Sequence, residues 1–202
     1  MNAGAIATDG RTARRERGRL AATDAMIDLV LSGQEPNPEL LARRAGISVA
    51  TLFRYFDTLD ELRRATTTRY LERFAHLFEL PRCGEGTLDE RIDRLVAARV
   101  HLHSTTEPMA RLTRARAIVV PELAAELHRL RNQLADQVRR HFAAELAELT
   151  PARRDDLVAT IAVLLSFESW SQLRDDHGRG PTQLRRTWTS ALHRLLTAEP
   201  GR

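Results

Sequence analysis

Two groups of side chains near the N-terminus are suited to binding the phosphates and base edges of a nucleic acid. Residues 11–19 contain five arginines against a single glutamate, which is the densest positive charge in the chain. Such a cluster indicates either phosphate contacts or a solvated helix start. Further along the chain lie Thr51, Arg54 and Tyr55, whose hydroxyl and guanidinium groups can bind phosphates or bases.

These three side chains need a rigid element to present them, and the surrounding sequence predicts two short helices joined by a tight turn. Asn37 followed by Pro38 is typical of an N-cap and a first helical residue. Gly46 can take the left-handed conformation that a sharp turn needs, and Ser48 then caps a third helix over 49–56. The pattern is that of a helix-turn-helix, although a helical hairpin with no role in DNA binding has the same pattern.

Apolar residues recur at helical spacing along the rest of the chain, which predicts an all-α fold of about nine helices without a β-sheet. The fifth helix is expected to break near residues 104–106, and a sixth to begin at Pro108. The eighth helix is expected to begin at Pro151 and the ninth after a turn that ends at Pro181.

The residues of the helix-turn-helix are more specific than the general pattern. The run over 41–56, Leu-Ala-Arg-Arg-Ala-Gly-Ile-Ser-Val-Ala-Thr-Leu-Phe-Arg-Tyr-Phe, closely resembles the DNA-binding signature of the TetR (tetracycline-repressor-like) family. The entry to the fourth helix, over 57–62, is also similar to that family. The specific resemblance covers about residues 12–72, and the remaining helices are similar only in number, length and breaks.

The resemblance implies DNA contacts from the arginine cluster, the start of the second helix and the third, recognition helix. The matching positions are Arg14, Arg15, Arg17, Asn37, Glu39, Val49, Ala50, Thr51, Phe53, Arg54 and Tyr55. Three residues depart from the family pattern: Phe53 replaces the usual tyrosine, Ala50 a common glycine, and Leu59 a lysine that holds a phosphate at the start of the fourth helix.

The resemblance also implies how the chain is organised. We expect residues 1–11 to be a disordered tail, 12–57 to form a DNA-binding domain with its motif over 37–56, and 58–202 to form an effector-binding and dimerisation domain. Helices five to seven would enclose a ligand pocket, and helices eight and nine would pair with their copies in a homodimer. The apolar stripes of these two helices contain more residues than one small body is expected to bury. The stripes consist of Leu157 to Leu165 and of Leu184, Trp188, Leu192 and Leu195.

Glu168 and Trp170 are the candidate ligand contacts. Glu168 follows Ile161 and Leu164 at helical spacing, which places it on an apolar stripe, where a buried carboxylate needs a partner. That partner is either a group on a neighbouring helix or a ligand. Trp170 can belong to the core, to a dimer interface or to a ligand site.

Neither catalysis nor metal binding is expected. His101 and His103 are two residues apart and therefore lie on different faces of a helix. Cys83 is the single cysteine, so no disulfide can form within the chain. The sequence shows no cofactor motif, no signal segment and no apolar run long enough to span a bilayer, so a cytoplasmic protein is expected.

The sequence thus predicts a transcriptional regulator of the TetR family that represses from operator DNA and is released by a small-molecule ligand. One alternative is a DNA-binding regulator without an effector, whose body only dimerises. The other is a helical binding module or enzyme that has no affinity for DNA.

Overall fold

The computed structural model describes the backbone of residues 3–197, and the surroundings and exposure of Gly10 and residues 12–197. Over this range the chain forms ten α-helices, a 3-10 helix (Ala75–Phe78) and no strand, so the predicted all-α fold is confirmed. The helices are α1 (Ala3–Leu31), α2 (Pro38–Ala45), α3 (Val49–Tyr55), α4 (Leu59–Arg73), α5 (Leu88–Ala117), α6 (Pro121–His141), α7 (Ala143–Ala147), α8 (Pro151–Leu164), α9 (Phe167–Asp175) and α10 (Pro181–Thr197).

The chain divides between His76 and Leu77 into two compact units. The first, which we call the head, contains α1–α4, and the second, which we call the body, contains α5–α10. The sequence placed this boundary after residue 57, whereas the structure places α4 within the head.

The helix α4 belongs to the head because it is joined to α1 by ion pairs and by apolar packing. Arg69 pairs with Asp24 at 3.0 Å, and Arg73 pairs with Asp28 at 2.8 Å. Leu62 of α4 is buried in the same cluster as the apolar face of α1. Sequence periodicity identifies such a helix but does not show which neighbour it packs against.

The helix α1 begins at Ala3, although the sequence predicts a disordered tail over 1–11. The first two residues of that tail lie outside the described residues. The segment contains three alanines and no proline. Alanine is the strongest helix former, which accounts for a helix that extends beyond the apolar stripe.

The helix α2 begins and ends where the sequence predicts, and α3 begins as predicted at Val49 but ends at Tyr55, with Phe56 as its C-cap. The Asn37 side chain accepts a hydrogen bond from Leu40 N at 2.8 Å, and the Ser48 hydroxyl accepts one from Thr51 N at 3.1 Å. Gly46 has φ 68°, in the left-handed region that terminates α2. The predicted caps and turn are therefore confirmed, and they fix the direction of α3 relative to α2.

In the body, α5 is continuous across the break that the sequence predicts. Pro108 lies inside it, so no separate helix begins there. An interior proline costs about 3 kcal/mol through its missing N–H and its steric clash. Buried Leu102 and Met109 lie on either side of the proline, and Thr106 donates to Leu102 O at 2.7 Å. Packing of this face holds the helix together where local preference alone predicts an end.

Two further breaks raise the number of helices from about nine to ten over the described residues. The short helix α7 was not predicted, and the helix that begins at Pro151 ends at Leu164. Ser166 then adopts an extended conformation, and its hydroxyl accepts a hydrogen bond from Ser169 N at 3.2 Å, which caps α9. A serine N-cap competes with continuation of a helix, and here it starts a new one.

The apolar stripe of α10 is buried within the body itself. Leu184, Trp188 and Leu192 are each 0% exposed and belong to one core with residues of α5, α6, α8 and α9. The expectation that Leu184, Trp188 and Leu192 lie on a dimer surface is therefore wrong, whereas Leu195 is half-buried. One body buries the first three because α10 packs along the long helix α5.

Within the head, Gly18 permits a close approach between α1 and α3. The ring of Tyr55 lies directly over Gly18, so a Cβ atom built there would be 2.6 Å from Cζ and 2.7 Å from Oη of Tyr55. Non-bonded carbon atoms pack at about 3.5–4.0 Å, so only glycine fits this position. The contact lets α3 pack on α1 through Leu52, Tyr55 and Phe56.

Replacing Gly18 by alanine is expected to destabilise the head, because the methyl group forces the Tyr55 ring out of its site. Overpacking of this kind costs about 1–3 kcal/mol. The matched control is Gly10→Ala, since Gly10 lies in the same helix and has nothing within 4 Å of the added carbon. Urea denaturation followed by circular dichroism should show Gly18→Ala to be less stable than Gly10→Ala. Equal stability of the two variants would contradict the close contact.

Candidate nucleic-acid interface and ligand cavity

The helix α3 has one buried face and one exposed face. Leu52, Tyr55 and Phe56 pack against the rest of the head. Ala50, Phe53 and Arg54 are exposed, and Val49 and Thr51 are half-buried. The Thr51 hydroxyl lies 2.9 Å from that of Ser48 at the N-cap. The exposed face thus presents an aromatic ring, a guanidinium group and small side chains.

Tyr55 is the residue of this helix that the structure places differently from the prediction. Its ring is 9% exposed and packs on Gly18, and its main-chain oxygen accepts a hydrogen bond from Arg19. The expectation that Tyr55 faces outward is therefore wrong. Tyr55 follows Leu52 by three residues and so shares its buried face, a spacing that together with Gly18 could have indicated this.

The arginine cluster divides into exposed and structural members. Arg14, Arg15 and Arg17 are exposed on α1, as a role in phosphate binding requires. Arg19 instead pairs with Glu61 at 2.9 Å, and its guanidinium carbon lies 4.3 Å from the centre of the Phe56 ring. Arg19 therefore ties α1 to the segments that follow α3.

The two candidates at the start of α2 are both exposed. The Asn37 side chain uses its oxygen to cap α2, which leaves its amide group for another partner. Glu39 lies in the first turn of α2, where a carboxylate interacts favourably with the helix dipole.

The body contains a cavity of about 310 Å³ between four of its helices. This volume lies at the lower end of the range for small-molecule sites. The lining residues come from α5, α6, α8 and the start of α9: Arg99, His103, Arg114, Arg131, Leu134, Val138, Ala162, Val163, Leu165, Ser166, Phe167 and Glu168. The sequence predicts a pocket among its fifth to seventh helices, which correspond to α5 and α6 of the structure. Besides Glu168, the cavity is lined by four ionisable residues that the sequence did not indicate as ligand contacts.

Arg99 lies in the wall of this cavity and is 2% exposed. Its Nη2 donates to Gln137 Oε1 at 2.9 Å and to Leu134 O at 3.3 Å. Its Nη1 is buried and has no hydrogen-bond partner among the described residues. Burial lowers the pKa of Arg99 to about 10, so the side chain remains a cation at neutral pH. Its position on the stripe formed by Leu95, Val96 and Leu102 was the sequence signal for a buried arginine.

His103, one turn further along α5, is a buried neutral histidine. Its Nε2 donates to Leu165 O at 2.9 Å, and its ring packs against those of Phe167, Trp170 and Trp188. Burial lowers the pKa of His103 to about 4, although the hydrogen bond to Leu165 opposes this shift. The side chain is therefore uncharged near neutral pH.

Glu168 lines the cavity but is not the buried carboxylate that the sequence predicts. The break before α9 leaves its side chain 48% exposed, and Oε1 accepts hydrogen bonds from Arg114 at 3.0 Å and from Arg131. Partial burial alone would raise the pKa of Glu168, but these hydrogen bonds outweigh it and lower the pKa to about 2. Glu168 is thus an ionised group that links α5, α6 and α9.

Trp170 does not line the cavity. It is 0% exposed and lies in the core of the body, with its ring centre 6.1 Å from that of Trp188. The prediction of a ligand contact at Trp170 fails because the sequence does not distinguish a core aromatic residue from one at a cavity wall.

The described residues contain no group of three or more metal-ligating side chains that could hold an ion. Within the same range, no helix is both long enough and apolar enough to cross a membrane.

No family model and no curated protein match the chain. Its fold is similar to that in the crystal structure of a TetR-family transcriptional regulator from Streptomyces coelicolor, with a TM-score of 0.71. The match covers 89% of this chain and 80% of that chain at 22% sequence identity. The chain therefore has the all-helical fold of that TetR-family regulator.

The buried His103 should make the body less stable in acid. An unfolded histidine takes up a proton near pH 6.5, whereas His103 in the folded chain does so only near pH 4. Between these values the unfolded state binds more protons, so the free energy of unfolding falls by about 1.4 kcal/mol per pH unit on acidification. His103→Gln keeps a donor for Leu165 O and does not titrate, so this contribution disappears.

Urea denaturation of the wild type and His103→Gln at several pH values between 6.5 and 4 measures the difference. The exposed His101 provides the control variant His101→Gln, which should retain the wild-type pH dependence. The pKa of His141 is also lowered by burial. Its contribution to the pH dependence of the free energy of unfolding remains in all three proteins. Parallel curves for the wild type and His103→Gln would show that His103 is not held neutral.

Proposed function

We propose that the chain is a DNA-binding transcriptional regulator of the TetR family, with α2 and α3 as its helix-turn-helix and α3 as the recognition helix. The main support is the exposed face of α3, held in a motif whose caps and turn are all formed. The shared fold with a TetR-family regulator and the signature over 41–56 support the same conclusion. No comparable feature of the described residues favours an enzyme.

The proposed contacts to bases come from the exposed face of α3. The side chain of Arg54 can donate two hydrogen bonds to a guanine or pair with a phosphate. Ala50 and the methyl group of Thr51 can contact a thymine methyl, and Phe53 offers 44% of its surface to apolar contact. Glu39, Asn37 and Val49 lie at the ends of the two helices and are secondary candidates.

Arg14, Arg15 and Arg17 are proposed to bind phosphates on either side of the bases that are read. Their exposure on α1 leaves their guanidinium groups accessible, unlike that of Arg19. Phosphate contacts supply affinity and position but carry little sequence information.

A homodimer is proposed as the form that binds DNA, because one short helix reads few bases. Leu184, Trp188 and Leu192 of α10 are buried in the core of the body, so we do not include them in the proposed interface. The outward face of α8 is a better candidate, since Ala152 and Ala159 are exposed there at helical spacing. Two copies of such a face can pack closely, because small side chains let helix backbones approach.

The cavity of the body is proposed to bind a small-molecule effector that releases the dimer from its operator, which makes the protein a cytoplasmic repressor. A regulator that only dimerises would need no such cavity. Binding can shift the equilibrium only if the ligand prefers the conformation that fits DNA poorly.

Arg54→Ala is expected to weaken binding to a duplex selected by the wild type from random sequences. The expected cost is about 1–3 kcal/mol, with loss of preference at one position per half-site if Arg54 contacts a base. The matched control is Arg64→Ala, which removes an exposed arginine from α4. Fluorescence anisotropy at fixed salt gives the affinities for the duplex and its single-base variants. Unchanged affinity and selectivity in Arg54→Ala would argue against α3 as the reader.

The triple replacement of Arg14, Arg15 and Arg17 by alanine should weaken binding to all sequences alike. The slope of log K against log salt concentration should become shallower by about 0.9 for each phosphate that the variant no longer neutralises. The matched control is a triple alanine variant of Arg129, Arg139 and Arg140, which are exposed on α6. This variant changes the net charge by the same amount. If both triple variants alter the slope equally, the effect comes from net charge and not from binding of phosphates by α1.

A further inference from the structure

The cavity of the body contains an incompletely paired buried cation. Both hydrogen bonds of Arg99 that the structure shows come from Nη2, and they go to an amide oxygen and a main-chain oxygen, neither of which carries a charge. Nη1 is left without a partner among the described residues. A buried cation without a counter-ion is costly, so a cavity lined by this guanidinium group favours an anion.

The charges around the cavity point in the same direction. Three arginines line it, Arg99, Arg114 and Arg131, against one acidic residue, Glu168. That glutamate already accepts hydrogen bonds from Arg114 and Arg131, and it does not contact Arg99. The lining therefore carries a net charge of +2, counting three cations and one anion with His103 neutral.

Most of the remaining wall is apolar, and the cavity is small. Leu134, Val138, Leu165 and Phe167 provide aliphatic and aromatic surface next to Arg99. A cavity of about 310 Å³ is at the lower end of the range for small-molecule sites, so it favours a small ligand.

We propose that this cavity binds a small monocarboxylic acid with an apolar body, whose carboxylate lies beside the guanidinium group of Arg99 and balances its charge. The apolar part lies against Leu134, Val138 and Phe167, and Arg99 determines the preference for an anion over a neutral molecule. The ligand is an effector only if the proposed regulatory function holds, whereas its binding to the body does not depend on DNA.

The test uses two probes of equal size and different charge, octanoate and octanamide, each with ten non-hydrogen atoms. Isothermal titration calorimetry of the full-length chain near neutral pH, without DNA, gives both affinities. Wild-type protein should bind octanoate about tenfold more tightly or better than octanamide, as one charge-assisted hydrogen bond in a buried site implies. In Arg99→Met, which keeps much of the length of the side chain, the two affinities should become similar.

The control variant is Arg154→Met, because Arg154 also donates to main-chain oxygens of the body but lies outside the cavity. It should keep the wild-type preference for octanoate, and circular dichroism checks that all three proteins are folded. Removal of a buried unpaired charge can leave stability unchanged or raise it, so Arg99→Met is expected to fold.

Equal binding of both probes by the wild type, no binding of either, or a preference that survives in Arg99→Met would each overturn the proposal. Anisotropy with duplex DNA in the absence of probe tests the regulatory function by itself. A chain that binds DNA but not octanoate would therefore refute the ligand class alone, and one that binds octanoate but not DNA would refute the regulatory function alone.

Discussion

Each unit of the chain is organised by one long helix whose apolar face must be buried: α1, with 29 residues, in the head and α5, with 30 residues, in the body. In the head, α2, α3 and α4 all pack on α1, and the close approach at Gly18 sets how near α3 can come. In the body, α6, α9 and α10 pack on α5. The continuity of α5 through Pro108 shows that this burial outweighs a local preference worth about 3 kcal/mol.

The same long helix brings two buried ionisable groups to the cavity, and the protein treats them differently. His103 can lose its charge, and burial keeps it neutral while it donates a hydrogen bond to Leu165 O. Arg99 cannot lose its charge near neutral pH and is incompletely paired. An unpaired cation in the wall of an apolar cavity is an unfavourable arrangement for stability alone. It becomes favourable when an anion fills the cavity, which links the architecture of the body to its proposed sensitivity to a ligand.

Features set by neighbouring residues could be predicted from the sequence, and features set by distant contacts could not. Caps at Asn37 and Ser48 and the turn at Gly46 depend on local chemistry, and they were correct. Tyr55 was assigned to the exposed face because its burial depends on Gly18, which lies in another helix.

The body shows the same limit. Helical spacing identified the stripe of Leu184, Trp188 and Leu192 as buried, but not that α5 of the same chain covers it. For Glu168, extrapolation of one helix past Ser166 placed the side chain on the wrong face. Arg99 lies on the same apolar stripe as Leu95, Val96 and Leu102, but a pattern of apolar residues does not by itself predict that a charged residue among them is buried.

Selection of bound duplexes from a random-sequence library by the full-length chain tests most directly whether α3 reads DNA within a two-fold dimer. The structure and the proposed dimer predict enrichment of an inverted repeat whose half-site centres lie about 10–10.5 base pairs, one helical turn, or a multiple of this, apart. Recovery of duplexes with no common sequence, at a salt concentration where binding is still observed, would contradict the assignment of α3 as a recognition helix.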